Sequence, residues 1–153
     1  MRDRYLVVVG CQKEKLSQIS KRKRNQILDF VNAESHSYSG GVISIVRKPC
    51  SGDTNFKRSG NTMDSTDVYL EYESNNLIVV PGYDVDCSTF RKDAEYDIIG
   101  ISTSASVLCI AMSMYSCGLN IRVLKDYTED RKGGFLADAA FKIMNAYMPG
   151  CLV

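Results

Sequence analysis

Three short segments concentrate the residues that could bind or transform a small molecule: Gly10-Cys11-Gln12, Pro81-Gly82-Tyr83-Asp84 and Ser102-Thr103-Ser104-Ala105-Ser106. The last is rich in hydroxyls, and a serine hydroxyl attacks a carbonyl well only when an adjacent base removes its proton. Cys11, Cys87 and Cys109 are the other candidate nucleophiles, and each needs a cationic or imidazole neighbour to become a thiolate. Cys109, three residues after Ser106, reads better as a small core residue. His36, the one histidine, stands between Ser35 and Ser37 in a polar stretch, where the sequence assigns it no partner. Asp84 and Asp86 are spaced as a carboxylate pair, but turn and capping roles explain them more simply. The six cysteines contain no CxxC, and a single histidine allows no HxH. No zinc site is expected and no cofactor is implied.

Each segment follows an apolar run. Tyr5–Val9, Val42–Val46, Leu77–Val80, Ile98–Ile101 and Ile121–Leu124 are rich in β-branched side chains, which predicts buried strands. Val68–Tyr72 reads as a short edge strand and Cys151–Val153 as a very short last one. Between them, a helix is predicted over Ser17–Asn32, where Ile19, Ile27, Phe30 and Val31 share a face, and a short helix or helical turn over Asp84–Glu95. Ser104–Cys117 is apolar nearly all round and ends at Gly118, and residues 135–148 are closed by Pro149-Gly150. Residues 48–66 are polar and Gly-punctuated, which predicts a flexible loop. Strands alternating with helices predict an α/β domain: a central, mostly parallel sheet with helices on both faces and right-handed crossovers. Ligands of such sheets sit beyond the carboxyl ends of the strands, where strand order reverses. All three segments are placed there.

The chain has 153 residues, 44% hydrophobic and 24% charged. One domain spanning 1–153 is expected, and disorder, collagen and coiled coil are excluded. No apolar run approaches the roughly 18 residues of a membrane span. Five apolar residues after Arg4 are too few for a signal peptide, so the expectation is a cytoplasmic protein with reduced thiols. Net charge is +1, yet residues 1–49 carry ten basic against four acidic groups, and residues 50–99 the reverse. Much of the excess is Lys21-Arg22-Lys23-Arg24. No aromatic residues interleave with that run, so it reads as a solvated helix face and nucleic acid is not the expected partner.

The stretch Asp97 to Val107, with its following helix, Gly118 and the strand Ile121–Leu124, resembles the isochorismatase-like cysteine hydrolases, which include nicotinamidases and N-carbamoyl hydrolases. The first strand running into Gly10-Cys11-Gln12 is similar to that family's strand followed by Asp-x-Gln, and the order of elements agrees over most of the chain. The resemblance implies a three-layer Rossmann-like isochorismatase fold. It also implies an Asp-Lys-Cys triad, an oxyanion hole of backbone N–H groups at Ser106 and Ser102, and a homo-oligomer. A non-proline cis peptide is implied between Ile101 and Ser102, with an open, polar-floored cavity beside Ser106.

The departures from that pattern decide the functional expectation. The nucleophile position holds Ser106, the aspartate position holds Gly10, and no lysine occurs between Lys57 and Lys92, where the strand-end lysine belongs. A serine lacking a base in a degenerate triad is a weak nucleophile. The expectation is a catalytically inactive isochorismatase-like protein that senses or sequesters a small molecule, nicotinamide- or nucleotide-like, in a vestigial pocket. Its ligand-binding residues would be Gly10, Cys11, Gln12, Pro81, Tyr83, Asp84, Ser102, Thr103 and Ser106, with Tyr83 stacking on a flat ring. The alternatives are a C–N hydrolase of altered mechanism using Ser106 or a displaced cysteine, and a pseudoenzyme that binds protein or nucleic acid through the basic helix.

Overall fold

The computed structural model describes residues 2–47, 70–80 and 82–153. The expected flexible loop at 48–66 and Pro81 lie outside the described residues. Five strands form one sheet: β1 (Arg4–Val9), β2 (Gly41–Arg47), β3 (Asn76–Val80), β4 (Glu95–Ile101) and β5 (Asn120–Glu129), in the order β3-β2-β1-β4-β5. Every pairing is parallel. Each predicted strand core lies in this sheet, and Leu152 adds a single parallel bridge to Val123 beside β5.

Alternation along β1 builds the two faces. Val7 and Val9 point into a core with Ile43, Ile45, Ile98 and Val123. Leu6 and Val8 point the other way, into a core with Val42, Ile99 and Ile101. The first core is covered by α3 (Leu108–Ser116) and α4 (Gly134–Tyr147), through Ile110, Met114 and Met144. The second is covered by α1 (Lys13–Leu16) and α2 (Lys21–Glu34), through Leu16, Ile27 and Val31. A fully buried aliphatic side chain contributes about 1.5–3 kcal/mol, so both helical layers are held by apolar contact. The result is a three-layer α/β domain.

Several element boundaries differ from expectation for identifiable reasons. The predicted helix over Ser17–Asn32 is two pieces. The Ser20 hydroxyl accepts from Lys23 N at 3.2 Å and starts α2 there, leaving α1 as a separate single turn. Of the short helix or helical turn expected over Asp84–Glu95, the turn is what forms. Asp84 and Asp86 bind their local N–H groups at Val85 and Ser88, both at 2.9 Å, so the backbone makes turns and only Cys87–Thr89 is a 3-10 turn. The helix expected from Ser104 begins with a π turn over Thr103–Val107 and passes into α3. Its end is as expected: Gly118 N bonds the Tyr115 carbonyl and Leu119 N the Met114 carbonyl, a Schellman pattern.

β5 runs on to Glu129 because the register slips. Ile98 pairs with Val123 but Gly100 with Thr128, so the residues between bulge outward and the pairing resumes beyond them. Within the bulge Tyr127 stacks on Phe30 of α2, centroids 3.8 Å apart. Of the expected edge strand Val68–Tyr72, Val68 and Tyr69 lie outside the described residues, and Leu70 makes only one antiparallel bridge, to Gln12. The expectation of reduced thiols is also corrected. Cys87 and Cys117 are joined in a disulfide with Cα atoms 6.3 Å apart, within the usual range. The 3-10 turn carrying Cys87 lies against the end of α3. That contact, across 30 residues of sequence, has no signature in cysteine spacing.

At the amino half of the sheet, Asp97 is 2% exposed. It accepts from Arg122 Nε and Nη2 at 2.7 and 2.8 Å, Arg4 Nη2 at 2.8 Å and Tyr38 Oη at 2.9 Å. Burial alone would raise its pKa, but these donors outweigh burial and hold it below the ordinary aspartate value of 3.8. Asp97→Asn is expected to cost about 2–3 kcal/mol at neutral pH, less than a fully enclosed pair because both guanidiniums reach solvent. A carboxyl with a depressed folded pKa stabilises above its unfolded value, so the difference should shrink as pH falls below 3.8. Urea titrations of both proteins across that range check it.

Candidate functional site

Strand order reverses between β1 and β4, and their carboxyl ends present Gly10 and Ser102. Gly10 has φ +66°, and its N–H donates to the Ile45 carbonyl at 2.8 Å. A Cβ built there would overlap the Ile101 carbonyl oxygen and stand 3.7 Å from Lys15 Nζ. The positive φ and the neighbouring backbone both exclude a side chain. Sequence reading missed Lys15. It looked for a lysine at the end of the third strand, whereas α1, one turn long, returns Lys15 to the end of the first.

Lys15, Gly10, Arg47, Tyr83 and Ser106 line one small cavity, with Val9, Ile45, Val80, Gly82 and Ile110 as its apolar walls. Its volume is about 10 Å³, room for one water-sized group. The open cavity expected beside Ser106 is therefore not found among the described residues. The reason lies at its mouth, where Arg47, at the end of β2, stacks on Tyr83. The guanidinium carbon is 4.4 Å from the ring centroid, and Nη1 donates to Oη at 2.9 Å. Tyr83 meets a guanidinium here rather than an open pocket. Next to the cavity, Arg131 Nε donates to Ser102 Oγ at 3.1 Å and Arg131 Nη1 to Gln18 Oε1 at 2.7 Å. The Ile101–Ser102 peptide is cis.

The other expected site residues are placed as follows. Cys11 is fully buried in the α2 face, and burial pushes its thiol up to about 12, only partly opposed by Lys15. Burial likewise raises the Cys109 thiol, and Cys87 is in the disulfide. None of these three supplies a thiolate. Gln12 precedes α1 and is 8% exposed. Asp84 accepts from the Ser113 hydroxyl at 2.6 Å, on the rim of α3. Thr103 is fully buried, its hydroxyl without a partner among the described residues. His36 lies on the turn Ser35–Ser37 before β2, at the opposite end of the sheet from Ser106. No imidazole serves that serine.

Asp130, just beyond β5, anchors the turn that carries Ser106. Its carboxylate accepts from Ser104 N at 2.8 Å and Lys132 N at 2.9 Å. Burial would raise its pKa, but the Ser104 and Lys132 donors keep it below the ordinary value. Lys15 moves in the other sense. Burial first, then the Arg131 and Arg47 charges, lower it from 10.5 to about 8. Of the basic run, Lys23 Nζ donates to the Asp126 carbonyl at 2.7 Å and Arg24 pairs with Glu71 at 2.9 Å, so two of its four cations are engaged within the chain.

No protein-family profile matches the sequence, and no curated protein is similar enough to match it. Solved structures do match in shape. The nicotinamidase/pyrazinamidase of Bacillus subtilis superposes with TM-score 0.70 over 100% of both chains at 14% identity. The MAR1 ribonuclease of Caenorhabditis elegans gives 0.70 at 18% identity, over 99% of this chain and 76% of that one. This chain has the nicotinamidase fold. A pyrazinamidase of Pyrococcus horikoshii, solved in complex with zinc, shares it as well, with TM-score 0.70 and 12% identity over 98% of this chain and 97% of that one. Among the described residues here, no three His, Cys, Asp or Glu side chains cluster so as to hold a metal.

Two expectations follow. Gly10→Ala should lower the unfolding free energy by about 2 kcal/mol or more, combining the left-handed backbone penalty with the overlap on Ile101; chemical denaturation measures it. Lys15→Met should stabilise the protein by roughly 1 kcal/mol, because a lysine with a lowered folded pKa opposes folding while it is charged. That gain should be full below pH 8 and gone by 10.5, as stability curves across that range would show.

Proposed function

We propose that this chain is a catalytically silent protein of the nicotinamidase fold that binds a small nicotinamide- or nucleotide-like molecule at the carboxyl end of its sheet, sensing or sequestering it. One observation carries the reading. At the end of β1, where the isochorismatase-like hydrolases that the sequence resembles place their aspartate, the backbone of Gly10 leaves no room for any side chain. A side chain in the place of that base would overlap the Ile101 carbonyl oxygen, which supports the silent reading, while Ser106 and Lys15 border a cavity there. Nicotinamide enters as a ligand class because fold neighbours are nicotinamidases. The reading includes a cytoplasmic, self-associating protein.

A second reading, a hydrolase of altered mechanism, has one observation in its favour. Lys15, with its pKa near 8, lines the same cavity as Ser106, and Ser-Lys pairs carry out acyl transfer elsewhere. Nucleic-acid binding through the basic helix has less support, since Lys23 and Arg24 are engaged internally. The deciding measurement is turnover of nicotinamide and N-carbamoyl amines, together with mass spectrometry of any ligand released on denaturation. The silent reading expects wild type and Ser106→Ala alike at background, with a small molecule released. Turnover that Ser106→Ala abolishes would replace it with the hydrolase.

A further inference from the structure

The cations among the described residues fall into three groups that are treated differently. At the amino end of the sheet, Arg4 and Arg122 both bind Asp97. On the flanks, Arg24 binds Glu71, and Arg91 binds Asp3 and Asp93. At the carboxyl end, Lys15, Arg47 and Arg131 make no ion pair among the described residues. Arg47 has only the Tyr83 ring and hydroxyl, and Arg131 has only neutral oxygens, at Ser102 and Gln18. The Nε–H of Arg47 is buried with no acceptor among the described residues.

Two half-buried cations and an exposed guanidinium beside them, with no ion-pair partner among the described residues, repel one another, and a buried donor without an acceptor adds a desolvation cost. Asp130 offsets part of the Arg131 charge, but its two oxygens are committed to the Ser104 and Lys132 N–H groups. Glu129 uses one oxygen on the Asp130 N–H, and Glu14 acts on Lys15 only weakly. What would complete the cluster is an oxyanion. We propose that Lys15, Arg47 and Arg131 form an oxyanion subsite that takes the carboxylate or phosphate of the small molecule bound in this pocket. The inference rests on the binding reading above and names the ligand's chemical class. A cavity of about 10 Å³ admits one oxygen-sized group, so the ligand enters by its charged end while its body stays at the Arg47–Tyr83 mouth. Arg47 then exchanges the Tyr83 hydroxyl for a charged acceptor, the stronger partner.

The test is calorimetric titration of the full chain with nicotinate, nicotinamide and inorganic phosphate. Nicotinate and nicotinamide share a ring and differ in charge. Nicotinate or phosphate should bind at least about tenfold more tightly than nicotinamide, since only they make charge-assisted bonds. Their affinity should fall as salt rises. Preference for nicotinate identifies a carboxylate ligand, and preference for phosphate a phosphate ligand. Lys15→Met and Arg131→Gln should each weaken the preferred anion by about tenfold. If either variant fails to fold, the acid–amide comparison on wild type still decides. Nicotinamide binding as tightly as nicotinate and phosphate would overturn the oxyanion subsite and leave the binding reading standing. No binding by any of the three would overturn both.

Discussion

β1 and β4 approach each other so closely at their carboxyl ends that each uses a glycine to make room for the other's backbone. A Cβ on Gly100 would overlap the Val9 carbonyl oxygen, and one on Gly10 would overlap the Ile101 carbonyl oxygen. Both glycines have positive φ, +138° and +66°, a conformation that L side chains adopt at a penalty. Much of the site follows from this reciprocal contact. It sets the end of β1, from which the chain turns into α1 and brings back Lys15. It also coincides with the register slip between Ile98 and Gly100, which lets β5 extend to Glu129 and deliver Asp130 and Arg131 beside Ser102 and Ser104.

The two ends of the sheet solve the problem of charge in opposite ways. At the amino end a buried carboxylate is saturated by two guanidiniums and a phenol, a closed network whose role is to hold the strands. At the carboxyl end Lys15 and Arg47 border a cavity with Arg131 next to it, and the hydrogen bonds of the two guanidiniums among the described residues go to neutral groups. Removing one partner from the first set leaves charge unsatisfied, whereas the second set has no ion-pair partner among the described residues. This asymmetry matches the general rule that parallel α/β sheets carry their sites beyond the strand carboxyl ends.

Much of the architecture was legible from residue pattern. Five apolar β-branched runs separated by helical periodicity specify a parallel sheet covered on both faces, since such strands find apolar neighbours only there. The boundaries that went astray share a cause: local polar bonds redirected the backbone. Ser20 capped a helix that periodicity began at Ser17. Asp84 and Asp86 hold Asp84–Glu95 to turns rather than a longer helix. The bulge after Val123 hid half of β5, because Lys125 and Asp126 interrupt its alternation.

For the site, the sequence by itself determined which backbone segments meet, because strand ends are local features: Gly10, Gly82 and Ser102–Ser106 follow directly from apolar runs. It also determined that positions 10 and 106 hold a glycine and a serine, which is a matter of residue identity. Only the tertiary structure decided which cations reach those segments. Lys15 lies in a stretch, Lys13-Glu14-Lys15, that reads as surface, and it becomes half-buried because Leu16 beside it is drawn into the core. Arg47 and Arg131 stand at the ends of strands whose lengths depend on pairing, not on composition. The physical reason is range: burial and charge are sums over neighbours distant in sequence, while strand and helix patterns are set within a few residues.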